Sequence, residues 1–337
     1  MIDVLVGGGG PAGLAAAIHA ALAGLEAVVV EPRTAPVDKA CGEGVMPGGV
    51  AALRGLGVEV TGRELRGIRY LDGTARAEAS FRGLGGLGIR RTALHAALHR
   101  RALALGVRIL PGKVGEVHQS ADTVTAAGIT ARWLIAADGL HSPVRRSLGL
   151  ELPGRPRGRY GLRRHYRAEP WTDFVEVHWS RHGEAYVTPV GDDLVGVAVL
   201  SDSRRGYDDH LAGFPALTAS LHGPAATEVR GAGPLLQRVR RRVDGRVLLV
   251  GDAAGYLDAL TGEGVALALA SAGAAVRCVA AGQPGAYERA WVRLTRRHRL
   301  LTGALLAASR RPGTARLIVP AASRMPLLFS AAVHALQ

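Results

Sequence analysis

The stretch from Met1 to Glu31 constrains this chain more than any other. An apolar run, Met1-Ile-Asp-Val-Leu-Val6, stops at four consecutive glycines, Gly7 to Gly10. Pro11 to Ala23 then reads as a buried, alanine-rich helix, and Ala27-Val-Val-Val30 as a second strand that ends at Glu31. A strand, a glycine turn, a helix and a strand make a βαβ unit, whose right-handed crossover sets the two strands side by side and parallel. Within it lies Gly8-x-Gly10-x-x-Gly13. Gly8 permits the tight turn, Gly10 lets backbone approach a pyrophosphate, and Gly13 allows close helix–strand packing. The helix N-terminus stabilises phosphate charge through its dipole and free N–H groups. Glu31, 18 residues after Gly13, is placed to accept hydrogen bonds from ribose hydroxyls. Dinucleotide binding is the reading this context favours over an ordinary glycine-rich turn.

The rest of the chain alternates in character. Residues 66–82 and 157–200 hold alternating, β-rich runs broken by turn signals, and between them residues 91–105 form a helix with Leu94, Leu98 and Leu105 on one face. Trp133 to Ala137 and Arg246 to Val250 return to the parallel-strand pattern, and a second alanine-rich helix is expected over residues 264–280. The α/β segments are thus interrupted twice by β segments. We expect a discontinuous nucleotide-binding domain (1–65, 90–156 and 232–283), an inserted substrate-binding sheet (66–89 and 157–231) and a C-terminal helical segment (284–337).

Charge invites another reading. With 42 Lys and Arg against 28 Asp and Glu the formal charge is +14, yet only Lys39 and Lys113 are lysines and the arginines are spread along the chain. Aromatic residues are 4% of the total, too sparse for base-stacking platforms, so nucleic acid is not an expected partner. Cys41 and Cys278 make no disulfide framework, and the 12 histidines show no metal-ligand spacing, so no metal site is expected. No leader precedes the first strand and no window has membrane-span length, so a cytoplasmic location is expected.

Several motifs, in order along the chain, resemble one flavoprotein group, the FAD-dependent enzymes of the p-hydroxybenzoate hydroxylase and geranylgeranyl reductase type. Gly8 to Gly13 is similar to the group's FAD entry motif. Asp38-Lys-Ala-Cys-Gly-Glu-Gly44 resembles the loop along the flavin in the reductase branch, and Arg91 matches the arginine supporting the pyrophosphate. Asp138-Gly139-x-x-Ser142-x-x-Arg145 matches the Asp-Gly nucleotide motif. Gly251-Asp252-Ala-Ala-Gly255 matches the motif whose aspartate contacts the ribitol, and Thr261-Gly262-Glu263-Gly264 resembles the turn facing the isoalloxazine. The resemblance implies a Rossmann-like α/β FAD-binding domain of the glutathione-reductase type (GR2), carrying an inserted antiparallel sheet. Its implied cofactor contacts are Gly8, Gly10, Ala12, Gly13, Glu31, Cys41, Gly42, Glu43, Gly44, Arg91, Val114, Asp138, Gly139, Asp252, Gly262, Glu263, Gly264 and Val265.

Chemistry is less constrained. The favoured reading is a monooxygenase that uses NAD(P)H and O2, through a flavin C4a-hydroperoxide, on a hydrophobic aromatic or polyketide-like metabolite. The alternatives are a reductase of prenyl or lipid double bonds and a flavin-binding protein without turnover. The halogenase signature Trp-x-Trp-x-Ile-Pro is missing. Tyr186 and His165 are the weak catalytic candidates, with Tyr160 and Pro189 as further residues of the same β segment. Electrons would come from NAD(P)H as a transient donor or from a flavin- or ferredoxin-type reductase. The Arg/Leu-rich C-terminal helices are candidates for contact with anionic membrane surfaces.

Overall fold

Strands that read as unbroken apolar runs lie in a sheet covered on both faces, as continuous burial along a strand requires. The computed structural model describes residues 1–153 and 158–336, so the boundary expected at 156–157 lies outside the described residues. Five strands run parallel in the order Val247–Leu249, Ile129–Ala136, Ile2–Gly7, Ala27–Glu31, Arg108–Pro111. All five residues of Ala27–Glu31 are buried. Val243–Asp244 adds an antiparallel edge, and the pair Val117–Gln119 and Val124–Ala126 attaches antiparallel to Ile129–Ala136. The helices Pro11–Leu22 and Gly264–Ala280 pack against each other on this sheet, their small side chains allowing close approach.

Strands from both inserted segments form one seven-stranded sheet. Its order is Arg230–Ala232, Tyr160–Arg167, Leu194–Ser201, Gly183–Pro189, Phe174–Ser180, Gly67–Leu71, Arg76–Ser80. Every pairing is antiparallel except Phe174–Ser180 with Gly67–Leu71, the pairing that joins the two inserted segments. The strand Arg76–Ser80 alternates exposed and buried residues, so one face is packed and the other meets solvent.

A small sheet of Gly44–Val45, Gly86–Gly88 and Arg63–Leu65 joins the two layers. At the C-terminal end, the helix Ala286–Ser309 buries Tyr287 and Trp291 against the nucleotide-binding core. The helices Ile318–Arg324 and Pro326–His334 then fold back onto Arg76–Ser80, where Phe329 and Val333 meet Ala77 and Ala79. Among the described residues no single helix is long and apolar enough to cross a membrane. The parallel strands deliver their C-terminal ends to the junction with the seven-stranded sheet, the position at which α/β sheets bind ligands.

Candidate active site

A cavity of about 600 Å³ opens at that junction. Its nucleotide end is shaped by backbone. Gly8 has φ +106°, and a Cβ there would sit 2.6 Å from the Ala137 carbonyl oxygen. At Gly13 a Cβ would meet the Gly8 oxygen at 1.8 Å, so the turn closes only with glycine. Over Gly10, by contrast, there is open space with no atom within 4 Å. The helix begins at Pro11, so its first-turn N–H groups lack intrahelical acceptors and face the opening. Glu31, at the end of its strand, accepts from Gly9 N–H at 2.7 Å and from Arg33 Nε at 2.7 Å. Burial alone would raise its pKa, but the bonds from Arg33 and Gly9 outweigh this and hold the carboxyl below its ordinary value. The expected ribose acceptor is therefore also the brace that fixes the glycine loop.

Further along the wall, Lys39 Nζ pairs with Asp252 at 3.0 Å. Asp138 accepts from Val144 N–H at 3.0 Å through one carboxylate oxygen, while its other oxygen is buried with no partner among the described residues. Arg91 Nε is likewise buried without a partner among them. Arg145 is fully buried and lies away from the cavity, donating to Leu140 O and Gln237 Oε1 at 2.8 Å each and to Ala253 O at 3.2 Å. It clamps the Asp-Gly and Gly-Asp motifs together from behind.

The loop from Asp38 to Gly44 is pinned to the inserted sheet. Glu43 has φ +60°, an uncommon conformation for a side-chain-bearing residue. Its carboxylate accepts from Arg91 N–H at 2.7 Å and meets His165 Nε2 at 2.5 Å. Arg163 lies 3.0 Å from His165 Nδ1 and bonds Asp38 at 2.5 Å. A guanidinium only donates, so Nδ1 accepts and the Nε2–H points at Glu43. Thr188 Oγ1 adds a bond to Gly42 O at 2.7 Å. These contacts hold Cys41 and Gly42 at the cavity surface.

Gly8, Gly10, Ala12, Glu31, the run Cys41 to Gly44, Arg91, Val114, Asp138, Gly139, Asp252, Gly262, Gly264 and Val265 all line this one cavity, as does Tyr186. Five expected residues do not, Tyr160, whose hydroxyl meets Arg204, and Pro189 among them. Gly13 packs beneath Gly8. His165 is wholly buried and serves Glu43 instead of facing the cavity. The side chain of Glu263, a residue 6% exposed, has no ion pair or hydrogen bond among the described residues, and burial pushes its pKa up to about 8. Tyr186 is engaged, its hydroxyl donating to Leu260 O at 2.8 Å.

Among the cavity residues that went unforeseen, Tyr256 stands out for its chemistry. Its hydroxyl lies 3.6 Å from where a Cβ on Gly264 would be, with no hydrogen bond among the described residues. The signal was present in the sequence: a tyrosine four residues past Asp252, in a turn otherwise built of small residues. Beyond it the cavity is walled by Val175, Ala198, Leu200 and Leu235.

The open cradle over Gly10, the unsatisfied helix amides and the orphaned polar atoms of Arg91 and Asp138 fit an elongated anionic nucleotide with hydroxyl groups, as FAD is. Comparison with known proteins agrees. A family model described as FAD binding domain matches residues 110–188. A menaquinone reductase of Mycobacterium tuberculosis is 31% identical over 299 residues, covering 78% of this chain and 72% of that protein. A 12-dehydrotetracycline 5-monooxygenase/anhydrotetracycline 6-monooxygenase of Streptomyces rimosus is 28% identical over 290 residues, covering 74% of this chain and 57% of that one. In fold, a geranylgeranyl bacteriochlorophyll reductase-like protein of Thermoplasma acidophilum superposes with a TM-score of 0.78 at 22% identity, over 98% of this chain and 91% of that chain. With its glycine cradle, its motif order and a relative of this similarity, the chain belongs to the family of FAD-dependent oxidoreductases that includes the menaquinone and geranylgeranyl reductases.

Proposed function

We propose that this enzyme reduces carbon–carbon double bonds of a hydrophobic, isoprenoid-like substrate, with electrons supplied by NAD(P)H. The observation that carries the reading is the chemistry of the cavity beyond the cradle. Its wall is aliphatic, and Tyr256 offers an uncommitted hydroxyl beside the Gly262–Gly264 turn. Such a wall suits an apolar chain, and the similarity to a menaquinone reductase points the same way. FAD, when bound, supplies the hydride equivalent that the reduction needs. The chain's own residues do the rest. Arg91, Asp138 and the Pro11 helix terminus hold the nucleotide, and the Glu43–His165–Arg163 network fixes the Asp38–Gly44 loop. The aliphatic wall excludes water, and Tyr256 holds the proton delivered to the second carbon.

A hydroxylase, the reading favoured from sequence, is the second possibility, supported by the similarity to the tetracycline monooxygenase. Against it, His165 and Tyr186 are both engaged in internal bonds and leave neither as a base for a phenol. Mass spectrometry separates the two. The protein is reduced with NADPH, or with dithionite should NADPH fail, and given a menaquinone or geranylgeranyl lipid under nitrogen and then in air. A product two mass units heavier, formed without O2 and keeping that mass after air has reoxidised any quinol, supports reduction. One sixteen units heavier, formed only in air, would establish hydroxylation instead.

A further inference from the structure

The C-terminal helices form a surface unlike the rest of the molecule. From Arg289 to Gln337 the chain carries nine arginines and not one aspartate or glutamate. The helical stretch Gly313–Arg324 and the helix Pro326–His334 meet at a sharp corner, a bend of 99°. Every residue from Ser323 to Leu328 on that corner is exposed. Met325 is 48% exposed, Leu327 86% and Leu328 62%, with Leu317 at 56% nearby in sequence. Seven of the nine residues of Pro326–His334 are apolar: Phe329 and Val333 face inward onto Ala77 and Ala79, while Leu327 and Leu328 face outward. Exposed leucines on the outer side of a helix whose inner side is already packed form an apolar patch open to a partner or to lipid.

We propose that this corner docks on a bilayer bearing anionic headgroups, with Met325, Leu327 and Leu328 entering the acyl boundary and Arg316 and Arg324 meeting the lipid phosphates. Charge selects the occupant: an acid-free arginine segment around exposed leucines matches an anionic lipid surface. A nine-residue helix rises about 14 Å, under half of the ~30 Å hydrocarbon thickness, so the contact is peripheral and not a span. The corner is also tied to the cavity. Leu306 and Val319 belong to the same apolar cluster as Val175, Tyr186, Leu200 and Leu235, which line it. The proposal holds whichever reaction the enzyme performs.

Vesicle binding tests it. The full chain, loaded with FAD, is sedimented with vesicles of phosphatidylcholine alone and of phosphatidylcholine with 30% phosphatidylglycerol. Binding to the anionic vesicles is expected, and weakening in 0.5 M salt. Leu327→Ser with Leu328→Ser should weaken it by a hundred-fold or more, from the apolar area left in water. Arg316→Ser with Arg324→Ser should weaken it roughly thirty-fold, at the usual contribution of a basic residue at an anionic surface. Both pairs lie outside the cavity, so FAD affinity and melting temperature should hold. Failure of the wild type to bind anionic vesicles overturns the proposal, as does binding that neither pair weakens. A lipid-free dimer that the leucine pair breaks apart would also overturn it, by assigning the corner to a second copy of this chain.

Discussion

Replacing His165 with leucine tests the account of the Asp38–Gly44 loop most directly. The imidazole is wholly buried and joins Glu43 at 2.5 Å through Nε2 to Thr227 at 3.0 Å through Nδ1. Leucine approximates its volume, so packing is largely kept and hydrogen bonding is removed. Glu43 keeps the Arg91 N–H at 2.7 Å and Arg163 at 3.8 Å, but a buried carboxylate loses a charge-assisted donor. Such a bond contributes about 1.5–3 kcal/mol to stability. For a chain of 337 residues the unfolding entropy is roughly 0.7 kcal/mol per kelvin, so the melting temperature should fall by about 2–4 °C. FAD affinity, measured by fluorescence titration, should drop at least several-fold, because the loop carrying Cys41 and Gly42 is no longer anchored to the sheet. A cycle with Glu43→Gln isolates the pair, and a coupling of about 1–2 kcal/mol is expected. If the two single changes add to within a few tenths of a kcal/mol, or if His165→Leu melts and binds FAD like the wild type, the anchoring argument is refuted.

Three further outcomes follow from the geometry. Gly13→Ala places a Cβ 1.8 Å from the Gly8 oxygen and should abolish FAD binding in a titration while the far-UV spectrum keeps most of its helix signal. Glu263 has its pKa raised from 4.5 to about 8 by burial, so the folded state holds a proton that the unfolded state releases between those values. Stability from this group is therefore lost as pH rises through that window, at up to about 1.4 kcal/mol per pH unit. Glu263→Gln, which mimics the neutral acid, should melt with the wild type at pH 5 and above it at pH 8.5. Tyr256→Phe should leave FAD affinity and NADPH-driven bleaching unchanged but slow reoxidation of the reduced flavin by an alkene substrate about a hundred-fold, in stopped-flow measurements. Unaltered reoxidation would remove Tyr256 from the reaction.

Local pattern carried much of this protein. The Gly8-x-Gly10-x-x-Gly13 turn, the strand ending at Glu31 and the alanine-rich helices follow from short-range sterics and hydrophobic periodicity, which depend on residues close together in the chain. The gathering of Arg91, Asp138 and Asp252 onto one cavity was legible through motif order, because each sits just past the end of a strand or at a helix start. What sequence could not assign was the work of buried polar side chains. His165 reads as a pocket residue, yet a neighbour 122 positions away takes its Nε2–H. Arg145 reads as part of a nucleotide motif, yet it holds two turns together from behind. Tyr186 and Tyr256 look alike in the chain, and only the position of the Leu260 carbonyl engages one hydroxyl and leaves the other open. Composition and periodicity decide which segments become strands and helices. Which donor meets which acceptor, and so which groups remain for chemistry, is decided only when strands distant in sequence are brought into register.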